Sequence, residues 1–181
     1  MSDEYTNYWG KRKALRYYAE VRALVRKHAP EAKTLLDVGA GPTLYLNEYN
    51  IWDIVAVDKE HWPIQKLLQK HIHIVQQPFE EYHAPRTFDV VQCLQTLEHI
   101  AEEHKPAFVA NLRKHCEGIL VVSLPFRWTA AQTRWKNHIG IDEATIKRWI
   151  GEDPMDSSIV TENSGGKRII NVYRVNHAEN R

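Results

Sequence analysis

Three places in this chain carry residues whose types and spacing can do chemistry. At the first, Leu35-Leu-Asp37-Val-Gly39-Ala-Gly41-Pro-Thr43, an apolar run around an acid ends in two glycines one residue apart. Glycine lets the backbone turn with positive φ and leaves bare peptide for a ligand to lie against, while Pro42 suits a first helical position. Asp58 closes the next apolar segment at about the 20-residue distance where an acid at a strand end meets a ribose in a doubly wound sheet. A nucleoside is therefore the expected ligand. The second place is Gln92-Cys-Leu-Gln-Thr-Leu-Glu98-His99, which puts an acid and a histidine just past another apolar run. The third is Pro125 to Ile141, which holds Arg127, Trp128, Arg134, Trp135, Lys136 and His138 without any acid.

The elements that must position these groups alternate. Leu35 to Val38, Trp52 to Val57, Ile72 to Gln76, Phe88 to Leu94 and Ile119 to Leu124 read as strands, the last an unbroken apolar run as a strand covered on both faces should be. Lys11 to His28 has helical spacing, with Leu15, Tyr18, Val21, Leu24 and Val25 on one side. Thr43 to Tyr49 and Pro63 to His71 read as short helices, a helix opens at Pro106 and stops at Gly118, and Asp142 caps another that ends at Gly151. Gln77 to Thr87 is too short and polar for a crossover helix. Ile159 to Thr161 and Arg168 to Val175 flank Asn163-Ser-Gly-Gly-Lys167 and form a closing antiparallel hairpin.

Bulk properties narrow the choices. With 181 residues and 43% hydrophobic content, one domain can bury a core without staples. No apolar run approaches the roughly 18 residues of a membrane span, and the first residues are too polar for a signal sequence, so a cytoplasmic protein is expected. Cys93 and Cys116 fit no disulfide framework or zinc spacing and read as buried thiols. The net charge of +1 gives no global attraction for nucleic acid, but Lys11 to His28 holds seven Lys/Arg against one acid, Glu20. Solvation explains that basic face most simply; an anionic substrate or RNA backbone is the sharper reading.

The glycine turn does not complete the dinucleotide fingerprint, since Leu44 stands at its sixth place. Asp37-x-Gly39-x-Gly41 instead resembles motif I of class I S-adenosylmethionine (SAM) methyltransferases. With Asp58, the Phe-Asp-Val-Val of the fourth strand and the closing hairpin, the resemblance spans roughly Thr34 to Val175. It implies an α/β fold: a seven-stranded, mostly parallel doubly wound sheet of order 3-2-1-4-5-7-6 in a three-layer αβα sandwich. The expected organisation is an arm and helix over residues 1–32 capping the site, a SAM-binding domain over 33–175 and a tail over 176–181.

The same resemblance implies site residues. Asp37, Gly39, Ala40 and Gly41 would line the methionine end of SAM, Asp58 would accept the ribose hydroxyls with Lys59 beside it, and Phe79 would flank adenine. Pro78 stands where many relatives place an acid, and Thr43 where a third glycine is frequent. Leu94 and Gln95 would touch SAM. The Leu97-Glu98-His99 ending resembles small-molecule O-methyltransferases such as those of ubiquinone biosynthesis, with Glu98 and His99 beginning the helix that borders the substrate. Methyl transfer is an in-line displacement that needs an aligned nucleophile and, for a hydroxyl, removal of its proton; His99 is the candidate base by its ordinary pKa, with Glu98 and His138 completing the catalytic set.

Glu98, His99 and His138 also resemble part of the metal set of small-RNA 3′-terminal 2′-O-methyltransferases, but Gln95 replaces that set's first glutamate, and no metal is expected. The other histidines read as surface or boundary residues. Tyr8, Trp9, Arg127, Trp128 and Trp135 are the candidate acceptor contacts, because aromatic walls with a few cations suit a polar ring bearing a carboxylate or phosphate. The expected activity is transfer of a methyl group from SAM to a hydroxyl, less readily an amine, of a small polar acceptor such as a sugar or glycan. RNA 2′-O-methylation, a SAM-binding module without turnover and an NAD-dependent oxidoreductase are the alternatives.

Overall fold

The computed structural model describes residues 15–41, 45–51, 53–61, 69 and 71–175. Seven strands form one sheet: β1 (Thr34–Val38), β2 (Asp53–Asp58), β3 (Ile72–Gln76), β4 (Phe88–Leu94), β5 (Cys116–Pro125), β6 (Asp156–Thr161) and β7 (Lys167–Arg174). Their order is β3-β2-β1-β4-β5-β7-β6, parallel from β3 to β5 and antiparallel through β7 and β6. This is the expected doubly wound sheet with its closing hairpin. In the parallel register Val38 stands beside Val57 on one side and Cys93 on the other, so β1, β2 and β4 end together. The loops that follow them share one rim.

Both faces of the sheet are covered. Leu36, Val38, Val57 and Val91 pack toward α2 (Lys105–Lys114) and α3 (Glu143–Ile150), which contribute Phe108, Val109, Leu112, Ile146 and Trp149. Leu35, Ile54, Val90, Ile119 and Val121 pack on the other face against α1 (Arg16–His28) and the 45–51 segment. That double burial is why the central strands carry apolar residues at nearly every position rather than at alternate ones. Cys93 and Cys116 are buried free thiols, as expected.

Helix boundaries follow local chemistry. Asp142 accepts from Thr145 N–H at 2.9 Å and caps α3, and Gly151 at φ 91° ends it. α1 lacks a cap of its own; its first N–H groups, at Arg16 and Tyr17, donate to the Glu162 carboxylate at 3.2 and 3.3 Å, a partner supplied by the turn of the β6–β7 hairpin. Only a 3₁₀ turn, Tyr45–Glu48, occupies the described part of the segment expected to be helical after the glycines. The expected helix from Glu98 also differs: Leu97–His99 is a single 3₁₀ turn, a second one follows at Glu102–His104, and the α-helix starts at Lys105. Pro106 explains the delay, since proline is accommodated in the first helical turn and not inside a continuing helix. Most of the helix expected over 63–71 lies outside the described residues.

Candidate active site

The glycine turn is built as its composition requires. Gly39 has φ 70° and Gly41 φ 59°, and Gly39 and Ala40 donate to Val57 O at 2.9 and 3.2 Å, tying the turn to the end of β2. Asp58 then holds the turn from below: its Oδ2 accepts from Gly41 N–H at 2.7 Å and its Oδ1 from Glu60 N–H at 2.8 Å. The acid read from sequence as a ribose ligand is thus also the brace of the loop that would receive the methionine end.

Asp37 sits one layer deeper. It is 1% exposed, its Oδ2 accepts from Tyr45 Oη at 2.7 Å, and Gln92 joins through its Nε2 to Tyr45 Oη at 2.7 Å and its Oε1 to Tyr49 Oη at 2.7 Å. Burial raises the Asp37 pKa to about 7, against the two side-chain hydrogen bonds that lower it; nearby Asp58 raises it further. Tyr18 of α1 stacks on Tyr45 at 4.1 Å and closes this polar network from water.

Beside the turn lies a cavity of about 390 Å³, bordered by Gly39, Asp58, Lys59, Pro78, Phe79, Glu80, Thr96 and His99. Its size is that of a small-molecule site. Four residues named from sequence as cofactor contacts, Gly39, Asp58, Lys59 and Phe79, meet here. The other five, Asp37, Ala40, Gly41, Leu94 and Gln95, do not border the described cavity. Gln95, at φ 56°, donates through Nε2 to Ser123 Oγ at 3.1 Å. Thr96, unremarked in the sequence, fills the space behind Gly39. The residues fit a nucleoside cofactor: bare backbone at positive φ, a strand-end carboxylate and an aromatic edge share one cavity, and a Cβ built on Gly41 would meet nothing within 4 Å.

A second cavity, about 600 Å³, shares His99 and Ile100 with the first and is walled by Glu98, Glu102, Lys105, Lys136, Asn137, Arg148 and Trp149 among others. Lys105 is buried, with Nζ donating to Ile100 O at 2.5 Å and lying 4.3 Å from the Trp149 ring. At the junction His99 Nε2 stands 3.3 Å from His138 Nε2. Asn137 Nδ2 donates to Glu98 O at 3.0 Å and lies 2.9 Å from His99 Nδ1. The Glu98 side chain is wholly buried, neither carboxylate oxygen has a hydrogen bond, and the closest base is His138 Nε2 at 3.9 Å. Burial pushes its pKa up to about 8, against the pull of its own backbone N–H, Arg168 and Lys105. Desolvation, with Lys59 adding, lowers the His99 pKa below the ordinary histidine value, so the ring is neutral at pH 7.

The aromatic insert is gathered at the same junction. His138 has Trp128 at 5.7 Å and Trp135 at 6.3 Å, and His99 has Trp135 at 6.4 Å. Arg127 turns away from the cavity to pair with Glu143 of α3 at 2.8 Å. Tyr8 and Trp9 lie outside the described residues. The basic face of α1 is partly neutralised, with Arg22 on Glu48 at 2.5 Å and Lys27 on Asp156 at 2.7 Å. Not every histidine is at the surface: His115 is buried beneath Phe79 and Tyr82, its Nδ1 against Asn111 O at 2.9 Å.

A sheet of this order, with a glycine turn and strand-end acid at one cavity, defines a nucleoside-binding member of the doubly wound α/β class. The methyltransferase-domain family model matches residues 8–155, and the chain belongs to that family of SAM-dependent methyltransferases. No curated protein matches it in sequence. Among solved structures, the N-methyltransferase NodS from Bradyrhizobium japonicum WM9 superposes with a TM-score of 0.71 at 14% identity, covering 89% of this chain and 95% of NodS. The 1,6-didemethyltoxoflavin-N1-methyltransferase of Burkholderia thailandensis, with 1,6-didemethyltoxoflavin and S-adenosylhomocysteine bound, gives 0.70 at 15% identity, over 96% of this chain and 86% of that one. The magnesium protoporphyrin IX methyltransferase of Synechocystis PCC 6803 gives 0.66 at 15%, over 88% and 82%. Among the described residues no helix is long and apolar enough to cross a membrane.

Proposed function

We propose that this methyltransferase acts on a hydroxyl of a small polar acceptor, a sugar or another ring bearing a carboxylate or phosphate, held in the cavity between the Glu98–His99 turn and α3. One observation carries the reading: the cofactor-sized cavity and the second cavity share His99 and Ile100, so a ligand in each would meet at a neutral histidine. SAM supplies an electrophilic methyl on a sulfonium. Asp58 and the glycine turn would hold the nucleoside end, Phe79 would border the base, and Glu98, His99 and His138 would prepare the acceptor by taking up or displacing its hydroxyl proton.

Lys136 and Arg148 in the wall of the second cavity favour an anionic group on the acceptor, and Trp149 offers a ring face. RNA is disfavoured, because Arg22 and Lys27 of α1 already face acids. The test is release of S-adenosylhomocysteine over a panel of sugars, sugar phosphates and aromatic hydroxy acids, with RNA in parallel. Turnover on a small anionic hydroxyl compound, abolished by His99→Ala with S-adenosylhomocysteine binding kept, supports the reading. Turnover confined to RNA, falling steeply with salt, overturns it.

A further inference from the structure

We propose that Glu98, His99 and His138 form a three-ligand site for a divalent first-row transition-metal ion at the junction of the two cavities. A ligand atom from each of the three residues lies within 4.8 Å of the other two. Two atoms each about 2.1 Å from one ion stand at most about 4.2 Å apart. The His99–His138 separation of 3.3 Å and the His138–Glu98 separation of 3.9 Å already meet that limit. Only the third pair has to close, by a side-chain adjustment of less than about an ångström.

The carboxylate supplies the reason for the site. A wholly buried glutamate with neither oxygen hydrogen-bonded carries the cost of a desolvated polar group without a partner, about 1–3 kcal/mol. Among the described residues Lys105 and Arg168 act on it only through space, since Lys105 bonds Ile100 O and Glu102, and Arg168 lies over the faces of Tyr17 and Trp128. A cation held between Glu98 and two imidazoles gives the buried carboxylate a partner. Two nitrogen donors and one oxygen donor select an imidazole-binding ion such as Mn²⁺, Co²⁺ or Zn²⁺ over Mg²⁺ or Ca²⁺, which favour oxygen alone.

Outer contacts fit the assignment. A metal-bound imidazole keeps its other ring nitrogen on a polar partner, and Asn137 lies 2.9 Å from His99 Nδ1. Loading places the His99 proton on Nδ1 and leaves the Nε2 lone pair for the ion, which requires the Asn137 amide to turn its oxygen to Nδ1–H and give up its bond to Glu98 O. Trp128 and Trp135 stand beside the site, with ring centroids 5.7 and 6.3 Å from that of His138. Three protein ligands leave positions open toward both cavities. The site itself stands on these side chains; its use rests on the methyl-transfer reading, in which the ion binds the acceptor hydroxyl and lowers its pKa so that its proton leaves to solvent before the oxygen takes the methyl.

The experiment strips purified protein with a chelator, then titrates Mn²⁺, Co²⁺ and Zn²⁺ calorimetrically and follows Co²⁺ by visible absorption. One ion per chain is expected, with a Co²⁺ spectrum of nitrogen and oxygen ligation. Glu98→Gln and His138→Ala should each weaken binding more than tenfold, Asn137→Ala about tenfold, and the control His104→Ala not at all. S-adenosylhomocysteine binding by each variant shows that it is folded. Absence of binding, or binding that survives both Glu98→Gln and His138→Ala, overturns the site. If stripped enzyme keeps full turnover on an acceptor and loses it only with His99→Ala, the metal is wrong and the methyl-transfer reading stands with His99 as base. If the ion binds as described and no hydroxyl acceptor is found, the site stands and that reading fails.

Discussion

The side chain of Thr96 stands where a Cβ on Gly39 would have to go: an atom built there falls 2.3 Å from Thr96 Oγ1 and 2.5 Å from its Cγ2. Gly39→Ala therefore combines this clash with the strain of φ 70° on a non-glycine residue. Calorimetric titration should show S-adenosylhomocysteine affinity reduced more than about tenfold, and Thr96→Gly in the same chain should restore part of it. Gly41→Ala meets no neighbour and should cost only the backbone strain, about 1–2 kcal/mol in unfolding measurements. Equal losses at the two glycines would refute the steric account.

Asp58 serves two backbone N–H groups, so its removal acts on the turn as well as on a ribose. Asp58→Ala should lower S-adenosylhomocysteine affinity by well over tenfold, and Asp58→Asn should fall between it and the parent, because the amide oxygen still accepts one of the two bonds. Adenosine should show the same ranking. An Asp58→Ala protein that binds both ligands normally would remove this residue from the site.

Asp37 predicts a pH dependence with a definite sign. Its carboxyl is protonated in both folded and unfolded chains below about pH 4; from there to about pH 7 the unfolded chain ionises while the fold keeps the proton. Stability contributed by Asp37 is therefore full at acid pH and lost as pH rises through about 7, a span of three pKa units or about 4 kcal/mol. Asp156, held near 2 by Lys27 and His28, acts only below pH 4 and with the opposite sign. Denaturant unfolding of Asp37→Asn should show a flatter profile between about pH 4 and 7 than the parent. Parallel profiles would mean that Asp37 ionises freely in the fold.

Trp135 is 52% exposed yet stands against both histidines, whereas Arg127 is spent on Glu143. Trp135→Ala should leave the unfolding midpoint unchanged, as surface substitutions do, and raise KM for the acceptor found in the screen. Arg127→Ala should change neither. A lower KM effect at Trp135 than at Arg127 would reverse the assignment of the acceptor mouth.

The order of the sheet was legible because buried parallel strands leave unbroken apolar runs, and β3 and β4 fall on the expected residues. The α3 helix was equally legible, since Asp142 and Gly151 are local signals. β5 and β6 run further than expected because polar residues such as Glu117, Asp156 and Ser157 continue the pairing; Ser157 Oγ donates to Asn171 Oδ1 at 2.7 Å, a bond visible only after the hairpin closes. In the site, Gly39, Asp58 and His99 announce themselves by type and spacing. Thr96 and Asn137 do not, because their roles arise from contacts across 57 and 38 positions of sequence and neither residue is unusual in a loop. A Thr immediately after the fourth strand, facing a glycine turn, was the available signal for the first; for Asn137 there was none.

The bond between α1 and the hairpin turn spans nearly the whole chain, 145 positions from Tyr17 to Glu162. Contacts so distant in sequence form late, after the local and central pairings have reduced the cost of closing the loop. During synthesis β1 to β4 can assemble while the first helix still lacks the carboxylate that receives its leading N–H groups. A chain shortened before β6 would keep its glycine turn and leave the leading N–H groups of α1 without the carboxylate that receives them.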